Sequence, residues 1–256
     1  KTNKNMEYVL ITGGTSGIGY ALAEKFAKEQ YHIVIAASNE QRLKETKEKL
    51  QKKYSVPVEI YQQDLANIGG AEELYHKIKG DNIEIGILVN NAGYGLIGNT
   101  EEVDIQKDRG LMILNMISLT ELCKLFLQDM YKRKRGKILN IASTGAFQPG
   151  PYTATYYASK SYVLSYSRAI RHEAKKKGIQ ICTLCPGTTD TDFFHKAGRE
   201  TPKGAMSPER TAEYAYRKLM RNKEVAVPGI LNQFLRIVPV KIKIFFVALI
   251  KKKNNA

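Results

Sequence analysis

Short apolar runs alternate with longer amphipathic stretches along most of this chain, and that alternation restricts the fold more than any other feature. The apolar runs are Glu7–Thr12, His32–Ala37, Val58–Gln62, Gly86–Val89, Lys137–Ala142 and Ile179–Cys185, with a shorter one at Glu224–Val227. Runs this short are strand length, and near-continuous apolarity marks strands buried on both faces. Between them lie helical stretches to about Gln30, then Glu40–Tyr54, Ala71–Lys79, Asp104–Lys132, Thr155–Lys177 and one opened by Ser207-Pro208. Ser at an N-cap followed by Pro at the first helical position is a helix start. Strand–helix alternation of this kind predicts a single α/β domain: a doubly wound, Rossmann-like parallel sheet of about seven strands with helices on both faces.

In such a sheet, ligands bind outside the carboxyl ends of the strands. The loops with chemical interest all fall at those ends: Gly13–Gly19, Ser38, Asp64, Asn90–Gly93, Ser143, and Pro186 onward. The first runs from strand to helix through Gly13, Gly14, Thr15, Ser16, Gly17, Ile18 and Gly19. Glycines permit close backbone approach, and a helix N-terminus offers free N–H groups and a positive dipole end, so a phosphate fits there. The spacing is Gly-x-x-x-Gly-x-Gly, and a glycine turn without a ligand is the plain alternative.

Tyr156 and Lys160 stand four apart at the start of a helix, where such positions share a face. A nearby cation favours the phenolate of a tyrosine. The pair can therefore give a proton to a carbonyl oxygen or take one from an alcohol.

The chain has 256 residues, a formal net charge of +15 and three cysteines. An odd, sparse cysteine set provides no disulfide framework. Cys182 and Cys185 lie in an apolar strand, so their thiols are expected on opposite faces, not as a redox or metal pair. The positive field attracts polyanions, anionic lipid and phosphorylated cofactors. No nucleic-acid recognition motif accompanies it, and nucleic acid is not expected as a partner. The apolar run near the N-terminus is too short for a secretory signal, and a cytoplasmic location is the expectation.

With these motifs placed, the stretch from roughly Tyr8 to Val227 resembles the compact, single-domain short-chain dehydrogenases/reductases. Thr12-Gly13-x-x-x-Gly17-x-Gly19 matches their cofactor turn and Asn90-Asn91-Ala92-Gly93 their sheet-stabilising motif. Asn115, Ser143, Tyr156 and Lys160 match their catalytic tetrad, and Pro186-Gly187-x-x-x-Thr191 their nicotinamide-side motif. The resemblance implies Tyr156 as general acid/base. Lys160 would lower its pKa and hold the nicotinamide ribose, Ser143 would polarise the substrate carbonyl, and Asn115 would keep a water in a proton relay. Cofactor contacts are expected from Gly13, Thr15, Ser16, Gly17, Ile18, Gly19, Asp64, Leu65, Asn91, Ala92, Gly93, Tyr156, Lys160, Pro186, Gly187, Thr189 and Thr191. Homodimers or homotetramers are common among such relatives through the two long helices.

An acid at the end of the second strand accepts from the ribose hydroxyls in NAD-preferring relatives. Here Ala36-Ala37-Ser38-Asn39 stands there, with Arg42 close in sequence. Nothing at Ala37 repels a 2′-phosphate, while Ser38, Asn39 and Arg42 can donate to one. NADP(H) is the expected cofactor, with NAD(H) as the second choice.

Residues 1–229 are thus read as the catalytic domain and residues 230–256 as a basic, apolar extension. In the latter Arg236, Lys241, Lys243 and Lys251–Lys253 interrupt an apolar run and Pro239 breaks it. It is no clean transmembrane span. Lying in a membrane interface and closing the substrate pocket or packing on a partner are the open alternatives. Thr188–Met206 is the expected lid, with Phe193, Phe194 and Met206 on the pocket. The reading is an oxidoreductase for a lipophilic carbonyl or secondary alcohol; a non-catalytic nucleotide sensor on the same fold is the alternative.

Overall fold

The computed structural model describes residues 7–191 and 204–253. Seven strands form one sheet: β1 (Tyr8–Thr12), β2 (His32–Ala37), β3 (Val58–Gln62), β4 (Ile85–Asn90), β5 (Gly136–Ile141), β6 (Ile179–Leu184) and β7 (Val225–Ala226). Their order is β3-β2-β1-β4-β5-β6-β7, and every pairing is parallel. The order reverses between β1 and β4, which makes the carboxyl ends of these two strands the switch point where a ligand crevice opens. The expected doubly wound sheet is what forms.

The helices are α1 (Gly17–Lys28), α2 (Glu40–Tyr54), α3 (Gly70–Gly80), α4 (Ile105–Met112), α5 (Leu119–Arg133), α6 (Ala154–Lys175), α7 (Pro208–Met220), α8 (Ile230–Leu235) and α9 (Val240–Lys253). Alternate residues of each strand feed opposite faces. Val9, Ile11, Ile33 and Ile35 pack with Leu22, Phe26, Leu43 and Leu50 on one face. Leu10, Val34 and Leu88 pack with Leu74, Phe126 and Met130 on the other. Cys182 belongs to the first core and Cys185 to the second, so the two thiols do lie on opposite faces.

One helix departs from expectation. Asp104–Lys132 reads as a single continuous helix, but α4 and α5 are joined by a π-helical stretch, Ile113–Ser118. A π turn inserts an extra residue and is characteristic of functional positions. The wide turn carries Asn115, buried to 1 % exposure, whose side chain bonds outside its own helix. Sequence periodicity does not register such a turn, because the residues remain helix formers. The whole span Ile105–Arg133 is, among the described residues, long and apolar enough to cross a membrane. Here it is a core helix, with Leu122, Cys123, Phe126 and Met130 buried on the sheet.

Candidate active site

The glycine turn is fixed from β4. Asn91 donates its side-chain amide to the carbonyls of Thr12 and Gly13, both at 3.0 Å. Its backbone N–H and that of Ala92 donate to the Thr12 hydroxyl at 3.1 and 3.0 Å. Gly13 and Gly17 adopt φ of +64° and +53°, which glycine accepts without strain. A Cβ on Gly19 would overlap the Gly13 carbonyl and the Asn91 amide. The Ser16 side chain makes no capping bond to α1, so the first N–H groups of that helix stay available to an anion.

Beyond the turn lies a cleft of about 1070 Å³. Of the expected cofactor residues, Gly13, Thr15, Ser16, Gly17, Ile18, Ser38, Asp64, Leu65, Asn91, Ala92, Gly93, Pro186, Gly187, Thr189 and Thr191 line it, as do Tyr156, Lys160 and Ser143. Gly19, Asn39, Arg42 and Asn115 do not. Gly19 sits behind the turn it makes possible. Asn39 accepts from the Arg42 backbone N–H at 2.8 Å and caps α2, and Arg42 opens that helix. Asn91, on the cleft wall, has its side-chain amide N–H committed to the backbone of the turn. Asp64 accepts from the Ala66 N–H at 2.9 Å and thereby shapes the loop after β3.

The polar cluster forms where β5, β4 and α6 meet. Ser143 extends from the end of β5, and its hydroxyl oxygen accepts from the Gly145 N–H at 3.0 Å. That leaves its proton for the Tyr156 oxygen. Desolvation pushes the Tyr156 phenol up to about 12; the Ser143 hydrogen bond acts against that rise, and Tyr157 adds to it. Lys160 is 6 % exposed and donates to the Ile141 carbonyl at 3.0 Å. Burial pulls its ammonium down to about 8, with Cys185 a small opposing influence. Tyr156 and Lys160 share a helix face, yet the ammonium is 5.8 Å from the tyrosine ring centroid. The strand-end carbonyl competes for the charge that sequence spacing assigns to the phenol.

Asn115 holds the floor of this cluster. Its amide donates to the Tyr94 carbonyl at 3.1 Å and to the Ser159 hydroxyl at 3.0 Å, and its oxygen accepts from the Tyr94 N–H at 3.3 Å. A Cβ on Gly93 would meet the Asn115 oxygen at 2.9 Å and Lys160 Nζ at 3.4 Å, so the three converge on one point.

Apart from Asn90, which opens the Asn90–Gly93 motif, several contributors carry no sequence signal of their own. Asn90 donates to Asn140 at 2.9 Å, and Asn140 donates to Ser167 at 2.8 Å, stitching β4, β5 and α6 beneath the site. Ser159, beside the reactive pair, ties Asn115 to α6. The loop after β5 is held by Ser161, which donates to the Ala146 carbonyl at 3.1 Å. Lys243 of α9 donates to the Phe147 carbonyl at 2.8 Å, and the Arg236 guanidinium lies 5.2 Å from the Phe147 ring centroid. Asn232 of α8 abuts Gly187, and Val247 of α9 lines the cleft. Polar spacing alone does not announce a lysine that will be buried. Phe193 and Phe194 lie outside the described residues. The ends of that segment pair, Met206 N–H donating to the Thr188 carbonyl at 3.0 Å and Asp190 N–H to the Met206 carbonyl at 2.9 Å. Among the described residues no cluster of His, Cys, Asp or Glu could hold a metal ion.

The model of the short chain dehydrogenase family matches residues 7–202. The chain belongs to that family. Proteins of that family are oxidoreductases that bind a nicotinamide cofactor and act on small-molecule substrates. It is 32 % identical over 186 residues to the very-long-chain 3-oxoacyl-CoA reductase of Rattus norvegicus, covering 70 % of this chain and 58 % of that protein. The chain thus spans about three-fifths of that relative's length. Among solved structures, a short-chain dehydrogenase from Sphingobium yanoikuyae in complex with NADPH superposes with a TM-score of 0.83 at 30 % identity, covering 88 % of each chain. The bulky-bulky ketone specific alcohol dehydrogenase from Comamonas testosteroni gives 0.80 at 28 %, covering 88 % of this chain and 87 % of that one.

Proposed function

We propose that this short-chain dehydrogenase transfers a hydride between NADP(H) and a lipophilic carbonyl or secondary-alcohol substrate, with Tyr156 as general acid/base. The observation that carries the reading is the line of hydrogen bonds Gly145 N–H to Ser143 Oγ to Tyr156, set in the same cleft as the glycine turn.

The residues present fit the dinucleotide. The uncapped N-terminus of α1 suits its pyrophosphate, and an added Cβ would press Gly13 on the Ala92 backbone and Gly17 on the Thr191 side chain. Ser38 on the cleft wall, with Ala37 in place of an acid, supports NADP(H) over NAD(H). When bound, the nicotinamide supplies or accepts the hydride. Everything else falls to the chain. With substrate bound, the Ser143 hydroxyl turns its proton from Tyr156 to the substrate oxygen and holds that oxygen beside the phenol. The raised pKa keeps Tyr156 protonated across the neutral range, so it serves as the acid as negative charge develops on that oxygen. The buried Lys160 ammonium offsets the negative charge left on the phenolate.

Support for a lipophilic substrate comes from Leu96, Ile97, Leu114 and Val247 among the residues that line the cleft. The ketone specificity named for the Comamonas neighbour and the acyl chain named for the rat relative point the same way. A homo-oligomer joined through α5 and α6 belongs to the same reading. Thr120 and Tyr162 share a hydrogen bond of 2.8 Å on their outer faces, and Tyr162 stacks on Tyr166 with centroids 5.8 Å apart.

The test is NADPH-dependent reduction of a panel of bulky ketones by the wild type and by Tyr156→Phe. The variant should lose roughly 10²–10⁴-fold in turnover while binding NADPH as the wild type does. Equal turnover by the two proteins would refute the mechanism.

A further inference from the structure

The C-terminal segment has two faces of opposite use. Its inner face is built into the enzyme: Lys243 is 6 % exposed and bonded to the Phe147 carbonyl, Asn232 sits on Gly187, and Val247 reaches the cleft. Its outer face is apolar and open. Among the described residues, eight of the thirteen large apolar side chains that are exposed lie between Ile230 and Leu249. Ile237 is 80 % exposed, Ile230 76 %, Leu231 74 % and Phe234 60 %. On α8, Ile230 and Phe234 are one turn apart and so share a face. Concentrated apolar surface of this kind marks an interaction site, while single exposed apolar residues do not.

Charge selects the occupant. From Val225 to the end of the sequence there are six Lys or Arg and no Asp or Glu. Arg236 and Lys241 lie among the exposed apolar residues, and Lys251–Lys253 close α9. A second copy docking by a twofold axis would set this basic face against itself. A neutral or cationic protein surface offers nothing to the lysines. An anionic bilayer satisfies both features at once, taking apolar side chains at the acyl boundary and basic groups among the headgroups.

We propose that α8 and α9 lay their outer face in the interface of an anionic lipid bilayer, which brings the wall of the cleft at Val247 to the membrane and admits lipophilic substrate from it. Docking stands on the exposed face alone; the delivery of substrate rests on the reaction proposed above.

The chain has no tryptophan, so Phe234→Trp introduces a single reporter. The full chain carrying it is mixed with vesicles of phosphatidylcholine alone or of phosphatidylcholine and phosphatidylglycerol in equal parts. The expected result is blue-shifted emission and co-sedimentation with the anionic vesicles, weakened by salt. Leu231→Ser combined with Ile237→Ser should weaken that binding at least about tenfold. The same pair should leave reduction of a water-soluble ketone unchanged, since neither side chain meets the cleft. No shift and no sedimentation with anionic vesicles would overturn the proposal. So would a double variant that binds vesicles as the wild type does, or one that turns a dimer into a monomer while the wild type ignores vesicles. Vesicle binding without any ketone reduction would leave the docking intact and remove the proposed reaction.

Discussion

The two walls of the cleft are made in different ways. The cofactor wall is assembled from neighbours in the sheet: β1 runs into the glycine turn, and the Asn91 amide and Thr12 hydroxyl lock that turn to the end of β4. The substrate wall is assembled from distant pieces. The loop after β5, the ends of the segment after β6, and the C-terminal helices meet through single bonds such as Lys243 to Phe147 and contacts such as Asn232 to Gly187. A wall held by a dense backbone network fixes a constant ligand. A wall held by a few side chains from a separate segment can differ between relatives while the chemistry stays the same. Tyr156, Ser143 and Lys160 stand on the seam, tied to β5 on one side and to α6 on the other.

Lys160→Met bears most heavily on this contrast, because Lys160 belongs to the seam. Turnover should fall roughly 100-fold or more. Stability should rise. The ammonium is pulled from its ordinary value down to about 8, so between about pH 8 and pH 10.5 the unfolded chain holds more protons than the folded one. The contribution of this group to stability is therefore lowest below pH 8 and grows as pH rises through that window. Removing the charge should give up to about 3 kcal/mol near neutrality, from about 1.4 kcal/mol per pKa unit. It should also flatten the pH dependence of thermal unfolding between pH 8 and 10.5. An unchanged slope there would mean that Lys160 is hydrated in the folded protein.

Gly19→Ala attacks the cofactor wall. The added methyl meets the Gly13 carbonyl and the Asn91 amide, neither of which can yield without opening the turn. A loss of about 1–3 kcal/mol in stability and a clear weakening of NADPH binding should follow. Lys243→Met attacks the substrate wall. Loss of a buried charged bond to the Phe147 carbonyl should raise KM for a bulky ketone roughly tenfold while leaving the NADPH Kd alone. If NADPH binding weakened equally, the two walls would be coupled and the contrast between them would fail. Asn39→Ala should do least: about 1 kcal/mol of stability from the lost cap of α2, with NADPH affinity nearly unchanged. A large loss of NADPH affinity would instead assign the Asn39 amide to the 2′-phosphate.

The cofactor wall was readable in the sequence and the substrate wall largely was not, for a physical reason. Gly13, Gly17 and Gly19 and the sequence around Asn91 are demanded by backbone geometry, which leaves few residue choices. The strands declare themselves because burial on both faces requires continuous apolarity. Lys243 reads as one more basic residue in a basic tail, and only the folded chain brings it to Phe147. The π turn at Asn115 is invisible for a related cause: its residues are as helical as their neighbours, and the extra residue is set by what Asn115 bonds across the fold. Asn39 and Arg42 are near the expected 2′-phosphate site in sequence, but their place at the start of α2 takes them off the cleft wall.

The most direct single measurement is an equilibrium fluorescence titration of the purified protein with NADPH and, separately, with NADH. The account predicts saturable NADPH binding at least about tenfold tighter than NADH, a difference of about 1.4 kcal/mol. Binding of neither nucleotide would contradict the reading of the glycine turn, Ser38 and the Tyr156 cluster as one cofactor-dependent site.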